Sequence, residues 1–243
     1  MNDFTDTLLQ WLHSIGLHPE RNSVEHASSA LQNAGEAVSQ TASQAIHYMD
    51  MPSLLALAAA LGWASGFRLY VVVFIVGLLG SSGLMELPGG LHVLEHPAML
   101  FASGGLLFVE FFADKIPGLD SIWDLLQSVL RIPAGAALAA GVFGADDVTM
   151  ATVAALMGGT LAATSQAAKT TTRALINTSP EPFSNIGASL AEDTASIAAL
   201  WLALINPVVF AVLLVLTVLV MWLATWWLWR FLRTALLRLR GWL

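Results

Sequence analysis

Cysteine is absent from this sequence, which removes disulfides, thiolate zinc sites, iron–sulfur clusters and cysteine nucleophiles together. The absence leaves the compartment open. Charge is scarce too: only 11% of the 243 residues are Asp, Glu, Lys or Arg, against roughly 25% in ordinary soluble domains. No phosphate-binding glycine loop or dinucleotide fingerprint occurs, and nothing points to nucleic acid. Ser65 and Ser165 have no histidine in the apolar part of the chain to activate them, so a hydrolase triad is not expected. The last fifty residues contain no acid at all.

What is present is apolar: 56% of the residues are hydrophobic, which predicts an all-α, polytopic helical membrane protein. The net charge of −7 conceals a segregation, since residues 1–50 hold six acids and one base whereas residues 194–243 hold four arginines and no acid. The opening run MNDFTDTLLQWLHSIG is interrupted by Asp3, Asp6 and His13, unlike a signal peptide. Phe4, Leu8, Trp11, Leu12 and Ile15 share one helical face, and Ala27, Leu31, Ala34, Val38 and Ile46 form a weaker stripe. Residues 1–50 are therefore expected to form acidic amphipathic helices that pack on the membrane domain or a partner.

Cut at proline, glycine and charge clusters, the rest gives six apolar segments. They run at about 53–80 (broken at Ala64-Ser65-Gly66-Phe67-Arg68), 97–113, 121–143 (interrupted at Arg131-Ile132-Pro133), 148–176, 185–205 and 208–229. Six segments divide into two sets of three, about 53–143 and 148–230, each opening with a long helix in which a serine precedes a base: Ser65 before Arg68, Ser165 before Lys169. An odd-numbered unit re-enters the membrane from the opposite side, so the expectation is two inverted three-helix repeats with broken first helices. Trp222, Trp226, Trp227 and Trp229 make an interfacial belt, and Arg230, Arg233, Arg238 and Arg240 place the basic tail 231–243 in the cytoplasm. Six crossings then put both termini on the cytoplasmic side.

The runs ALGWASGFRLYVVVFIVGLLG, VEFFADKIPGLDSIWDLLQSVLRIPAGAALAAG, GGTLAATSQAAKTTTRALINTSPEP and SLAEDTASIAALWLALINP resemble the bacterial membrane proteins grouped as domain of unknown function 4126. The resemblance covers about residues 53–230. Its sharpest elements are the Ala-Asp-Lys-Ile-Pro-Gly-Leu-Asp turn, the Arg-x-Pro-x-Gly after it and the Glu192-Asp193 pair. It implies arginine followed by proline in the first helix, where this chain has Arg68-Leu69. It further implies a helical membrane fold in a bacterial cytoplasmic membrane, and no particular activity.

Ionisable side chains inside spans cost about 2.5 kcal/mol or more each near a helix centre and mark pathways or paired sites. Glu110, Asp114, Asp120, Asp124, Glu192 and Asp193 face Arg68, Lys115, Arg131, Lys169 and Arg173. Asp120 and Asp124 are four apart, and Arg131 lies seven beyond Asp124 on nearly the same face. Arg68, Arg131 and Lys169, with Ser65 and Ser165, are the expected substrate-binding residues for a small anionic solute or a phosphate-bearing lipid. The six acids are the expected proton-coupling or ion-pair residues, Glu192 or Asp193 being able to take a proton; purely structural pairing is the competing reading, and Asp114, Lys115 and Asp120 fit a capping role in their turn. Gly104-Gly105, Gly158-Gly159 and residues 134–141 are small-residue surfaces for close helix packing. His92 and His96 have metal-compatible spacing but sit in a glycine-containing loop, and neither a metal nor a cofactor is expected. The function expected is a transporter or channel-like carrier rather than an enzyme. Its partners are the bilayer, a second copy of the chain and a cytoplasmic protein met by residues 1–50; the alternative is a non-transporting scaffold that recruits such a partner.

Overall fold

The computed structural model describes residues 29, 30, 33, 50–113, 116, 119–176 and 182–240, with side chains throughout except at 120, 121, 182, 228, 229 and 231–240. The amphipathic helices expected in residues 1–50 and the turn holding Asp114 and Lys115 lie outside the described residues, as does the Asp120 side chain. Six α-helices and one 3₁₀ segment follow in order: α1 Met51–Ser81, the 3₁₀ segment Gly89–Glu95, α2 Pro97–Ala113, α3 Leu119–Gly141, α4 Val148–Ile176, α5 Pro182–Ile205 and α6 Pro207–Arg240. No strand occurs among the described residues.

The helix starts follow from local chemistry. Asp50 caps α1 by accepting from the Ser53 amide at 3.1 Å and its hydroxyl at 2.7 Å, Asp147 caps α4 through the Met150 amide at 2.9 Å, and Asn206 caps α6 through the Val209 amide at 3.2 Å. Each supplies an acceptor to an amide that has no partner within its helix. Proline opens α2, α5 and α6, where its missing N–H costs nothing. The interruption expected at 131–133 does not occur: α3 runs through Pro133. Proline frees one carbonyl, and a membrane helix tolerates this where a neighbour packs against it; here α4 lies so close that a Cβ on Gly159 would sit 3.9 Å from the Ile132 carbonyl oxygen.

Four helices are long and apolar enough to cross a membrane: α1, α4, Phe183–Ile205 of α5 and Pro207–Trp227 of α6. The 3₁₀ segment with α2, bent by 69°, raises the number to five. α3, carrying Asp124, Gln127 and Arg131 on its buried side, is not among them.

α1 does break where expected, at Arg68, whose φ of −142° and ψ of 69° are not helical. The break is a reversal. Leu57 and Leu79 line one pocket together with Val76, Met85 and Leu200, although a straight helix would hold residues 22 positions apart about 33 Å from each other. The two halves, α1a (51–67) and α1b (69–81), form a hairpin with Arg68 at its tip. Pro52 lines a groove with Pro207, Val208 and Phe210, so α1 begins beside the start of α6. Arg230 is 23 positions further along α6, about 35 Å away. Residue 50 and Arg230 therefore stand at opposite ends of the bundle, because a hairpin returns to the end it came from.

The reversal also removes the basis of the inverted repeat. Gly62 abuts Gly158, and Gly66 abuts Ala162 and Ser165, so contacts advance together along α1a and α4 and the two run parallel. Inverted units would make them antiparallel. α4 itself is one continuous helix. In the most apolar window of α1, 83% of the residues are buried, which makes the hairpin the centre of the molecule. Only 6% are buried in that of α6, which lies at the periphery with Val208, Val212, Val215 and Leu219 exposed, an apolar face compatible with lipid.

Candidate functional site

Reversing a helix inside the protein leaves two sets of backbone groups without partners: the last carbonyls of α1a and the first amides of α1b. α4 supplies part of what is missing. Ser165 donates to the Trp63 carbonyl oxygen at 2.7 Å and Lys169 donates from Nζ to the Phe67 carbonyl oxygen at 3.1 Å. Ser65 donates back to Gly62 at 2.8 Å. Both serines, expected to bind substrate, thus lie in the seam between α1a and α4.

Around the tip, five helices contribute four bases and four acids. Arg68 of α1 holds Asp193 of α5 from Nε at 2.8 Å, with Glu192 and Glu110 of α2 at 3.5 Å; it also donates to the Ser189 hydroxyl. Arg131 of α3 reaches Glu110 at 2.5 Å and Asp124 at 3.0 Å, and donates to the Gln166 side-chain oxygen at 2.9 Å. Lys169 of α4 stands 3.0 Å from Asp124, 3.3 Å from Glu192 and 3.7 Å from Glu110. Arg173, one turn further on, meets Glu192 at 3.2 Å and the Asn185 carbonyl oxygen at 3.3 Å. Tyr70 extends the network by donating to Gln127 at 2.6 Å.

The members are sealed in. Arg68, Glu110, Asp124, Arg131, Lys169 and Arg173 have side chains no more than 2% exposed and Glu192 is 9% exposed, whereas Asp193 is 30% exposed. Moving single ions out of water costs several kcal/mol each, so such a cluster persists only because the charges balance and bond one another. Balance is not complete satisfaction. Glu110 Oε2, Asp124 Oδ2 and Arg131 Nε are buried without a hydrogen-bond partner among the described residues.

Of the expected substrate-binding residues, Arg68, Arg131 and Lys169 gather in one place, and of the expected acids Glu110, Asp124, Glu192 and Asp193 join them. The i to i+7 pairing of Asp124 with Arg131 is present as expected. Arg173 was expected among the bases facing the acids but not as a substrate-binding residue, and Gln166, Ser189 and Asn185 were not assigned to the site from sequence. For Arg173 and Gln166 a signal existed, since they lie four after and three before Lys169 on one helical face; Ser189 and Asn185 carried none. In the loop, His92 pairs with Glu95 at 2.8 Å while His96 accepts from the Ala98 amide at 3.2 Å at the start of α2, so the two rings serve separate local contacts.

No curated protein and no solved structure matches this chain. A family model does, over residues 55–230, which takes in all but the first four residues of the hairpin, every member of the network and all but the far end of α6. By that match the chain belongs to the family described as Domain of unknown function (DUF4126).

Proposed function

We propose that this protein is an integral membrane transporter or channel-like carrier for a small anionic solute or a phosphate-bearing lipid, with the α1 hairpin as its gate. One observation carries the reading: the only break in α1 puts Arg68 at a hairpin tip, held by acids of two other helices. Non-helical backbone at membrane depth is tolerated where it is buried in protein or lines a cavity, and interrupted helices form the sites of many carriers. A core built only for stability gains nothing from such a cluster, since replacing buried ion pairs by packed apolar groups is often neutral or stabilising by about 1–4 kcal/mol. The four bases form the anion site, and the four acids serve as its internal counter-ions while it is closed. Displacement of a carboxylate by an anionic substrate, or its protonation, opens it.

The membrane we propose is the bacterial cytoplasmic one, with Arg230 and the arginines after it inside. The six apolar segments then give five crossings, α2 to α6, plus the re-entrant α1. Residue 50 falls on the outer side with the segments 82–96 and 142–147, none of which contains lysine or arginine.

The test is flux. Wild-type protein in liposomes should carry radiolabelled phosphate or a fluorescent anionic lipid across the bilayer, and Arg68→Ala and Asp193→Asn should change the rate at least about tenfold, the effect of about 1.4 kcal/mol. Equal rates in all three would remove the site.

A further inference from the structure

We infer that the groove between α1b, α2 and α5 binds a long-chain alcohol, an uncharged single-chain molecule whose hydroxyl donates to the Asp193 carboxylate. The site lies beside the charge network and stands whether or not the protein carries an anion. It is lined from each helix by residues three or four apart, which share a face: Val71 and Ile75, Phe108 and Phe111, Asp193 and Ile197. Of the eight described residues that line it, Asp193 alone has a polar side chain. Phe108, Phe111 and Ile197 are exposed, so the groove opens sideways, where a membrane presents hydrocarbon. Asp193 is ten residues from Phe183 and twelve from Ile205, the ends of the stretch of α5 that is long and apolar enough to cross a membrane. At about 1.5 Å per residue it is roughly 15 Å from one end and roughly 18 Å from the other, near the middle of a hydrocarbon layer about 30 Å thick. Bringing an ionic head group to that depth costs far more than bringing one hydroxyl on an apolar chain.

Charge decides the polar group. Asp193 pairs with Arg68 Nε at 2.8 Å as a carboxylate, which accepts hydrogen bonds and donates none, so the ligand must donate. The network's four bases and four acids balance, and a cation or an anion added beside them would leave one net charge uncompensated in the apolar layer. A neutral donor leaves both the balance and the Arg68 pair intact. A carboxylate takes donors at about four positions, and the Asp193 side chain is 30% exposed, so a hydroxyl joins Arg68 there rather than displacing it. Lipid tails already offer a chain what the apolar walls offer. The hydrogen bond, stronger to a charged acceptor than to a neutral one, is therefore what selects one chain from the rest.

The full chain in phosphatidylcholine nanodiscs should be labelled by hexadecanol carrying a photoreactive diazirine on its chain, at peptides of α1b, α2 or α5. Unlabelled hexadecanol should compete at least about tenfold better than hexadecyl methyl ether, which cannot donate, and than hexadecyl sulfate or hexadecyltrimethylammonium, whose charges are fixed; tenfold corresponds to about 1.4 kcal/mol. Ile197→Trp, which fills the groove away from the charges, should cut labelling about tenfold, whereas Phe101→Trp, on the exposed face of α2 outside the groove, should leave it unchanged. Asp193→Leu should erase the alcohol's advantage over the ether; since it also takes a carboxylate from Arg68, Ile197→Trp decides the matter if Asp193→Leu does not fold. Competition by the ether or by either charged analogue equal to or better than the alcohol's overturns the inference. Labelling outside the three helices, or unaltered labelling of Ile197→Trp, overturns it as well.

Discussion

Lys169 ties the hairpin to the charge network: its Nζ donates to the Phe67 carbonyl oxygen at 3.1 Å, one residue before the chain reverses, and stands 3.0 Å from Asp124. The first contact places a cation at the negative end of the α1a dipole. The second holds α3 against it. A single side chain therefore satisfies the end of one helix and the charge of another.

Replacing Lys169 by methionine should cost about 3–5 kcal/mol, the range for breaking a buried ion pair by removing one partner. The loss would be read as a lowered midpoint of thermal unfolding in detergent. The double variant Lys169→Met with Asp124→Asn should recover part of it, because it removes the carboxylate nearest the ammonium, at 3.0 Å, and leaves three bases against three acids in the network. A double variant no more stable than the sum of the two single losses would show that the charges are not coupled as described.

Close packing of α1a on α4 makes a second prediction. A Cβ on Gly62 would lie 2.7 Å from the Gly158 carbonyl oxygen, and backbone has no flexible end to move aside. Gly62→Ala should destabilise by about 1–3 kcal/mol. Gly105, with nothing within 4 Å, is the control, and its alanine variant should unfold at or slightly above the wild-type temperature. Equal effects at the two sites would contradict the seam.

How much of this was legible beforehand differs residue by residue. Starts near 53, 148 and 208 were legible because proline, glycine and charge clusters interrupt apolar runs locally, though the capping roles of Asp50, Asp147 and Asn206 were not read, and Asp124 with Arg131 announced a pair because seven positions return to the same face. The break at Arg68 was legible without its proline, from the serine and glycine before it. Its angle was not: a 31-residue, mostly apolar helix suits one crossing or two half-helices equally, and only the distant meeting of Leu57 with Leu79 distinguishes them. The supposed equivalence of α1 and α4 failed for the same reason, since a serine placed before a base says nothing about direction. Ser65 and Ser165 looked like ligands because a hydroxyl among apolar residues is conspicuous, yet backbone carbonyls at a helix break need donors just as a substrate does.

The cap on α1 titrates. Hydrogen bonds from the Ser53 hydroxyl and amide hold the Asp50 carboxyl below its usual value of 3.8. A group whose folded pKa is depressed contributes stability above its unfolded pKa and loses it as pH falls through the folded one. Amides of the first turn of α1 should thus exchange faster, once corrected for intrinsic rates, as the pH drops below about 4. Asp50→Ala should show fast exchange at every pH and Asp50→Asn slow exchange throughout, as a neutral side chain that still caps. An unchanged acid response in Asp50→Asn would mean that another group is responsible.

The hairpin makes its sharpest prediction about sidedness, and the missing cysteines make that prediction easy to test. An α1 that crossed the membrane would leave residue 51 on the side of the C-terminal arginines after six crossings; an α1 that turns back at Arg68 leaves it on the other. Met51 is 45% exposed, and the chain offers no competing thiol. In intact bacterial cells, or in right-side-out vesicles, a membrane-impermeant maleimide should label Met51→Cys without permeabilisation and Leu243→Cys only after it. The same cells should yield label at Ser82→Cys or at Asp146→Cys alongside Met51→Cys, because the segments 82–88 and 142–147 share its end of the bundle. If Met51→Cys and Leu243→Cys label together while Asp146→Cys labels apart from them, α1 crosses after all and Arg68 is a kink within a span. If Met51→Cys labels with Asp146→Cys, the arginine stands at the tip of a re-entrant hairpin, where moving it does not require moving any crossing helix.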